Sequence, residues 1–147
     1  MIDWPDTKIR STALRYINQH AMDLPTWRYT LVGTAQPEVL SRIELKPGEL
    51  PLVSCFLGEA SWYLLSTCRV LGAYADQNVD VAALDVHADH FGNFKGSGGA
   101  RIELMTLRLT DGLEATLQYE TGKASMAPIY YFRYWNIKYP LLGKLRA

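Results

Sequence analysis

The period of the apolar residues changes twice along the chain. From Asp6 to about His20 it is helical: Ile9, Ala13, Tyr16, Ile17 and His20 share one side, and Asp6 is placed to cap the first turn. A helix of this length needs a dock to be stable in water. From Pro25 the pattern becomes an alternation, with Trp27, Tyr29 and Leu31 set between Arg28 and Thr30, as on a half-buried strand. Near Lys123 the helical period returns and runs to Tyr139. The spacing predicts a single domain over 1–147: an N-terminal amphipathic helix over 6–20, antiparallel strands over 25–119 and a closing helix over 125–139.

The closing helix is apolar on two sides. Pro128 suits a first turn, Ser125 or Ala127 can cap it, and Pro140 stops it. At about 100° per residue, Tyr131, Phe132, Trp135 and Tyr139 fall together, and that stripe should face the sheet. Tyr130, Tyr134 and Ile137 point nearly the opposite way. Two readings of this second stripe stand open. Another part of the chain covers it, the N-terminal helix being one candidate, or it meets a protein partner or a second copy in a homodimer. On the latter reading Tyr130, Tyr134 and Ile137 are the candidate binding residues. From Lys123 onward the chain is basic, with Lys123, Arg133, Lys138, Lys144 and Arg146 and no acid.

Between the helices, turn chemistry sets the hairpins. Gly33 to Ser41 reads as a loop or short helical turn, and Arg42 to Leu45 as a short strand broken at Lys46-Pro47-Gly48. Residues 51–57 and 60–74 read as a hairpin about Gly58-Glu59, with glycine first as a type II′ turn requires. That register pairs Leu57 with Ala60, Cys55 with Trp62 and Val53 with Leu64, all on one face. It also separates Cys55 from Cys68 by roughly 20 Å. A disulfide spans less than about 7 Å between Cα atoms, so both thiols are expected free. Asp76 to Asn78 reads as a turn, and 79–91 as a long strand irregular near Ala83-Leu84, with Asp85, His87 and Asp89 on its polar face. Around Asp111-Gly112 a three-residue loop pairs Leu109 with Leu113, Leu107 with Ala115 and Met105 with Leu117. Every pair is then apolar, provided Gly112 is left-handed and a bulge follows. The expected fold is α+β: a mostly antiparallel, about seven-stranded rolled sheet or barrel, closed by the C-terminal helix, with the N-terminal helix added.

Charge narrows the function classes. Lysine plus arginine equal aspartate plus glutamate at 15 each, so there is no net basic field of the kind nucleic acid attracts. Asp3, Pro5, Asp6 and Lys8 leave no apolar core for a signal peptide. No run approaches the roughly 20 apolar residues of a membrane span. These features predict a cytoplasmic protein, with membrane attachment only through the basic C-terminal segment. Two cysteines do not make a disulfide framework.

The run Trp62-Tyr63-Leu64-Leu65-Ser66-Thr67-Cys68-Arg69-Val70-Leu71 resembles the "W-x-L-T-x-x-R-hydrophobic" strand of bacterial pleckstrin-homology-like domains. Residues 102–119, then Glu120-Thr121-Gly122 and the aromatic helix, look like that family's late hairpin and capping helix. The likeness covers roughly 51–139 and implies a seven-stranded bent barrel closed by a C-terminal helix. The front helix departs from it. Lipid-binding members of the wider superfamily cluster lysine and arginine in an early hairpin loop. Here 33–41 carries no basic residue and Gly58-Glu59 is acidic, so the resemblance brings no phosphoinositide site.

Few residues suggest chemistry. His87-Ala88-Asp89-His90 places His87 and Asp89 on one strand face with Asp85 behind them, three N/O ligands for a divalent ion. The same row also describes a solvated outer strand. Lys95-Gly96-Ser97-Gly98-Gly99 puts its lysine before the glycines, not after them as a phosphate loop requires. Neither cysteine sits in a nucleophile motif, and no cofactor signature is present. The leading expectation is a non-enzymatic binding or protein-interaction module. A small-molecule-binding domain or minor enzyme using a cleft in the barrel, and a peripheral membrane binder, are the alternatives.

Overall fold

The computed structural model describes residues 4–138. Tyr139, Pro140, Lys144 and Arg146, assigned above to the closing stripe, its stop and the basic tail, lie outside the described residues. The chain is α+β. It opens with α1 (Asp6–Asn18), then β1 (Thr30–Val32) and a single turn α2 (Pro37–Leu40). Four consecutive strands follow: β2 (Pro51–Gly58), β3 (Ser61–Ser66), β4 (Arg69–Tyr74) and β5 (Gln77–Ala82). After them come β6 (Val86–His90), β7 (Ile102–Leu109), β8 (Glu114–Glu120) and α3 (Met126–Lys138). The strands form two antiparallel ladders, β1-β2-β3-β4-β5 and β6-β7-β8, and these do not join into a closed barrel.

The last hairpin has the expected register. Met105 faces Leu117 and Leu107 faces Ala115. Gly112 has φ +88°, and its N–H donates to the Leu109 carbonyl at 2.9 Å. The irregularity expected near Ala83-Leu84 is larger than a bulge. A 3-10 turn, Ala83–Asp85, ends β5 and carries the chain into the second sheet.

Several expectations are corrected. Residues 42–45 form no strand, and eight strands are present among the described residues rather than seven. The stretch 60–74 is two strands, because Ser66 to Arg69 reverses the chain: the Ser66 hydroxyl accepts the N–H groups of Cys68 at 3.2 Å and Arg69 at 3.0 Å. The turn after β4 is Ala75-Asp76, with φ 51° and 63°, the type I′ form. In the first hairpin the turn is Glu59-Ala60, and an extra residue before Gly58 shifts the register. Cys55 pairs with Tyr63 and Phe56 with Trp62. The reason is burial on both faces. Cys55, Tyr63, Val53 and Leu65 face the main core, while Trp62 and Leu64 meet Val39 and Ala35 under α2. Where both faces are apolar, the hydrophobic pattern cannot select a register. At α1, Pro5 holds the cap position and Asp6 makes no capping bond.

The core lies between the two sheets and α3. Tyr131, Phe132 and Trp135 are buried there with Tyr63, Met105, Leu107, Leu117 and Tyr119. The Tyr131 hydroxyl donates to the Ser66 carbonyl at 2.8 Å, tying α3 to the β3–β4 turn. The helix α1 packs along α3, burying Ile9, Ala13 and Ile17. No helix among the described residues is long and apolar enough to cross a membrane.

Candidate functional site

The β3–β4 turn sends Arg69 to the outer face of the five-stranded sheet. There its guanidinium grips Glu49 with two bonds, Nε to Oε2 at 2.8 Å and Nη2 to Oε1 at 3.0 Å. Nη2 also donates to the Glu44 carbonyl at 2.7 Å, and Nη1 reaches Asp80 Oδ2 on β5 at 3.1 Å. Glu49 further accepts from the Ser66 hydroxyl at 2.5 Å, the Lys46 N–H at 2.9 Å and the Cys68 thiol at 3.4 Å. Arg69 is therefore a rivet: it fixes the irregular segment 42–49 over the sheet without spending that segment's own backbone on a strand. Beside it, the Thr67 hydroxyl donates to Asp6 at 2.5 Å, so the start of α1 is tied to the same turn.

Burial pulls the Glu49 carboxyl upward, but the bonds from Arg69, Ser66, Lys46 and Cys68 outweigh it and hold its pKa at about 2. Burial pushes the Cys55 thiol up to about 12 and the Cys68 thiol up to about 11. Both cysteines are free. Neither is a thiolate near neutral pH, and the thiolate is the reactive form. A second buried carboxylate, Glu120, accepts the N–H groups of Arg28 and Tyr29 and the Thr30 hydroxyl at 2.8–2.9 Å. All its partners lie within this chain's own fold, so it anchors the start of β1.

The rivet leaves a cleft beside it. About 640 Å³ of space opens between Arg42–Pro47 on one side and the sheet on the other. Trp62 and Leu71 give it an apolar floor, and Arg42, Glu44, Lys46 and Asp80 form a rim of mixed charge. Arg42 is partly committed, with its guanidinium against the Phe56 ring and bonded to the Glu38 carbonyl. A smaller space of about 350 Å³ lies on the other side of β5, lined by Tyr74, Gln77, Asn78, Glu114 and Thr116.

The residues singled out from sequence lie elsewhere. Tyr134 is buried, its hydroxyl 2.7 Å from Thr12 of α1, and Tyr130 stacks on His20 with ring centroids 3.7 Å apart. Thus α1 occupies the stripe at these two positions, while Ile137 stays 66% exposed. Asp85 falls in the 3-10 turn before β6, and the pairing shifts between Val86 and Ala88. Asp85, His87 and Asp89 consequently do not form one row. Among the described residues no three His, Cys, Asp or Glu side chains are grouped to hold a metal ion. Trp62 and Arg69 entered the sequence reading through the strand resemblance and the hairpin register, and neither they nor Glu49 and Asp80 were read as site residues. The available signal was the polar interruption Ser66-Thr67-Cys68, which marks a turn and so exposes Arg69 as its exit residue. The chain matches no protein-family model, no curated protein and no solved structure.

Proposed function

We propose that this chain is a non-enzymatic binding module of pleckstrin-homology-like architecture, and that its ligand seat is the cleft beneath Arg42–Pro47. The strand path supports the architecture. Strands β2 to β5 run as consecutive antiparallel neighbours, β6 to β8 follow as a second set, and α3 then buries its aromatics against the core. On this reading β1 and α1 are additions to the seven-strand plan.

The cleft is the observation that carries the functional reading. Its volume falls within the roughly 300–1,000 Å³ of ligand sites, and it pairs an apolar floor with a few polar groups, as such sites do. The space between the sheets is filled by Tyr63, Tyr119, Tyr131 and Trp135. Both thiols are held protonated and Glu49 is taken up by its donors, which favours recognition over catalysis. The mixed rim favours a ligand that inserts an apolar group over one that presents a phosphate.

An NMR titration with small aromatic and aliphatic fragments tests this. Bound fragments should shift the Trp62 indole and the amides of Leu45, Lys46, Leu71 and Asn78. Fragments that shift only other regions, or an absence of binding at millimolar concentration, would overturn the assignment.

A further inference from the structure

We infer that the free edge of β5 is a strand-addition site for an extended peptide segment of a partner protein whose residues alternate between apolar and basic. This rests on the binding-module reading above and specifies the class of ligand.

The strand β5 is the last of its sheet and pairs only with β4. The two-residue turn at Ala75-Asp76 fixes which groups are free. Residues flanking such a turn exchange both ladder bonds, so Gln77, Val79 and Val81 direct their N–H and C=O groups to β4. Asn78, Asp80 and Ala82 therefore turn theirs outward, and no backbone bond joins them to another element among the described residues. Folded proteins commonly blunt such an edge with lysine, proline or a bulge. Gln77–Ala82 has none of these, and its one charge, Asp80, is held by Arg69.

The two clefts flank this edge, one on each side of the sheet, and both are lined by Asn78 and Val79. Successive side chains of an added strand point to opposite faces. Alternate residues of an incoming strand would thus enter the two clefts in turn. The outer one, floored by Trp62 and Leu71, suits apolar side chains. The other, with Gln77, Thr116 and Glu114, the last half-exposed and shared with Arg108 at 3.3 Å, suits polar or basic ones. In this mode the backbone bonds supply affinity and the alternate pockets supply selectivity. Pairing with a second copy in the antiparallel register centred on Asn78 is disfavoured, since it sets Asp76 of each strand opposite Asp80 of the other.

The test uses an acetylated peptide of about eight residues alternating valine and lysine, long enough to cover the edge at roughly 3.3 Å per residue. Hydrogen exchange followed by NMR should show the Asn78, Asp80 and Ala82 amides slowed on peptide addition. Asn78→Pro removes an outward donor while sparing the β4 ladder, as proline on an edge strand does. It should leave the unfolding midpoint within about 3 °C of wild type and weaken the peptide at least about tenfold, a 1.4 kcal/mol effect. A peptide that shifts Trp62 and Lys46 without slowing the three amides would overturn strand addition and leave the cleft reading standing. The same holds if fragments bind the cleft and the peptide does not. Failure of both fragments and peptide removes both readings. Light scattering that shows a wild-type dimer split by Asn78→Pro would assign the edge to a second copy, overturning the peptide.

Discussion

Replacing Glu49 with glutamine changes one oxygen into an amide nitrogen, at a point where the consequences can be worked out. The Glu49 side chain is 1% exposed and takes donors on both oxygens, from Arg69, Ser66, Lys46 and Cys68. A glutamine keeps a single acceptor oxygen. Its NH₂ group must meet donors head-on, and Arg69 is left with its charge answered only by Asp80, whose side chain is 62% exposed. Breaking a buried ion pair from one side costs about 3–5 kcal/mol. The carboxyl's pKa gives a second route. A shift from 4.5 to about 2 corresponds to about 3 kcal/mol of stability at pH 7. The two routes agree, and on a domain of this size about 3 kcal/mol lowers the unfolding midpoint by about 6–12 °C.

The pH dependence has a definite sign. The folded pKa lies below the unfolded one, so the stabilisation is present above about pH 5 and is lost as pH falls toward about 2. Glu49→Gln has no proton to gain there. Urea unfolding followed by circular dichroism at pH 7, 5, 4 and 3 should give a wild-type advantage of about 3 kcal/mol that shrinks steadily below about pH 5. An advantage that stays flat with pH, or one below about 1 kcal/mol at pH 7, refutes the rivet.

Gly112→Val should cost about 1–3 kcal/mol by urea unfolding, through φ +88° alone, since a Cβ there meets nothing within 4 Å; Gly112→Asn should cost less. Ala75→Gly should stabilise by up to about 1 kcal/mol in thermal melts, because an alanine is held at φ 51°. Tyr134→Phe should cost about 1 kcal/mol by removing the bond between its hydroxyl and Thr12, whose own hydroxyl keeps the Lys8 carbonyl at 3.0 Å, and an unchanged midpoint would show that this bond adds nothing to stability. Trp135→Ala should cost about 3–5 kcal/mol, with calorimetry as the readout, since the ring is 1% exposed beneath Tyr131 and Tyr134.

The parts of this fold that could be read from sequence are those where one face is wet. Strand β7 is half exposed, so requiring apolar pairs in the last hairpin singled out the true register, Met105 with Leu117. The closing helix was legible for a related reason. Its aromatics outnumber what one stripe can hold, and Tyr131, Phe132 and Trp135 had to face the core. Its opposite side stayed open because an amphipathic helix and a partner protein look alike from the stripe they cover. His20, which meets Tyr130, was read on the docking side of the N-terminal helix, but Thr12, which meets Tyr134, carries no marking in the sequence. Strands β2 and β3 failed the same test that served the last hairpin: Trp62 and Tyr63 are both buried, on opposite faces.

The cleft was illegible for a different reason: it is made by a chain segment with no period of its own. Residues 42–49 look like a poor strand because they hold Ile43, Leu45 and a Lys-Pro-Gly break, yet their backbone is fastened at the Glu44 carbonyl by a side chain 25 positions further on. An arginine can do this because its planar fork binds a carboxylate by two bonds and still has donors left for a carbonyl and a second acid. Glu49, Arg69 and Asp80 come from a loop and two strands, and no spacing rule links them. Their common feature is position beside turns: Glu49 follows Gly48 at φ +82°, and Arg69 leaves a turn whose Ser66 hydroxyl holds it. A charged residue that exits a tight turn into an otherwise apolar strand has to be paid for by a partner. Looking for that partner, rather than for a catalytic motif, is the step that would have led from Arg69 to Glu49 and so to the cleft.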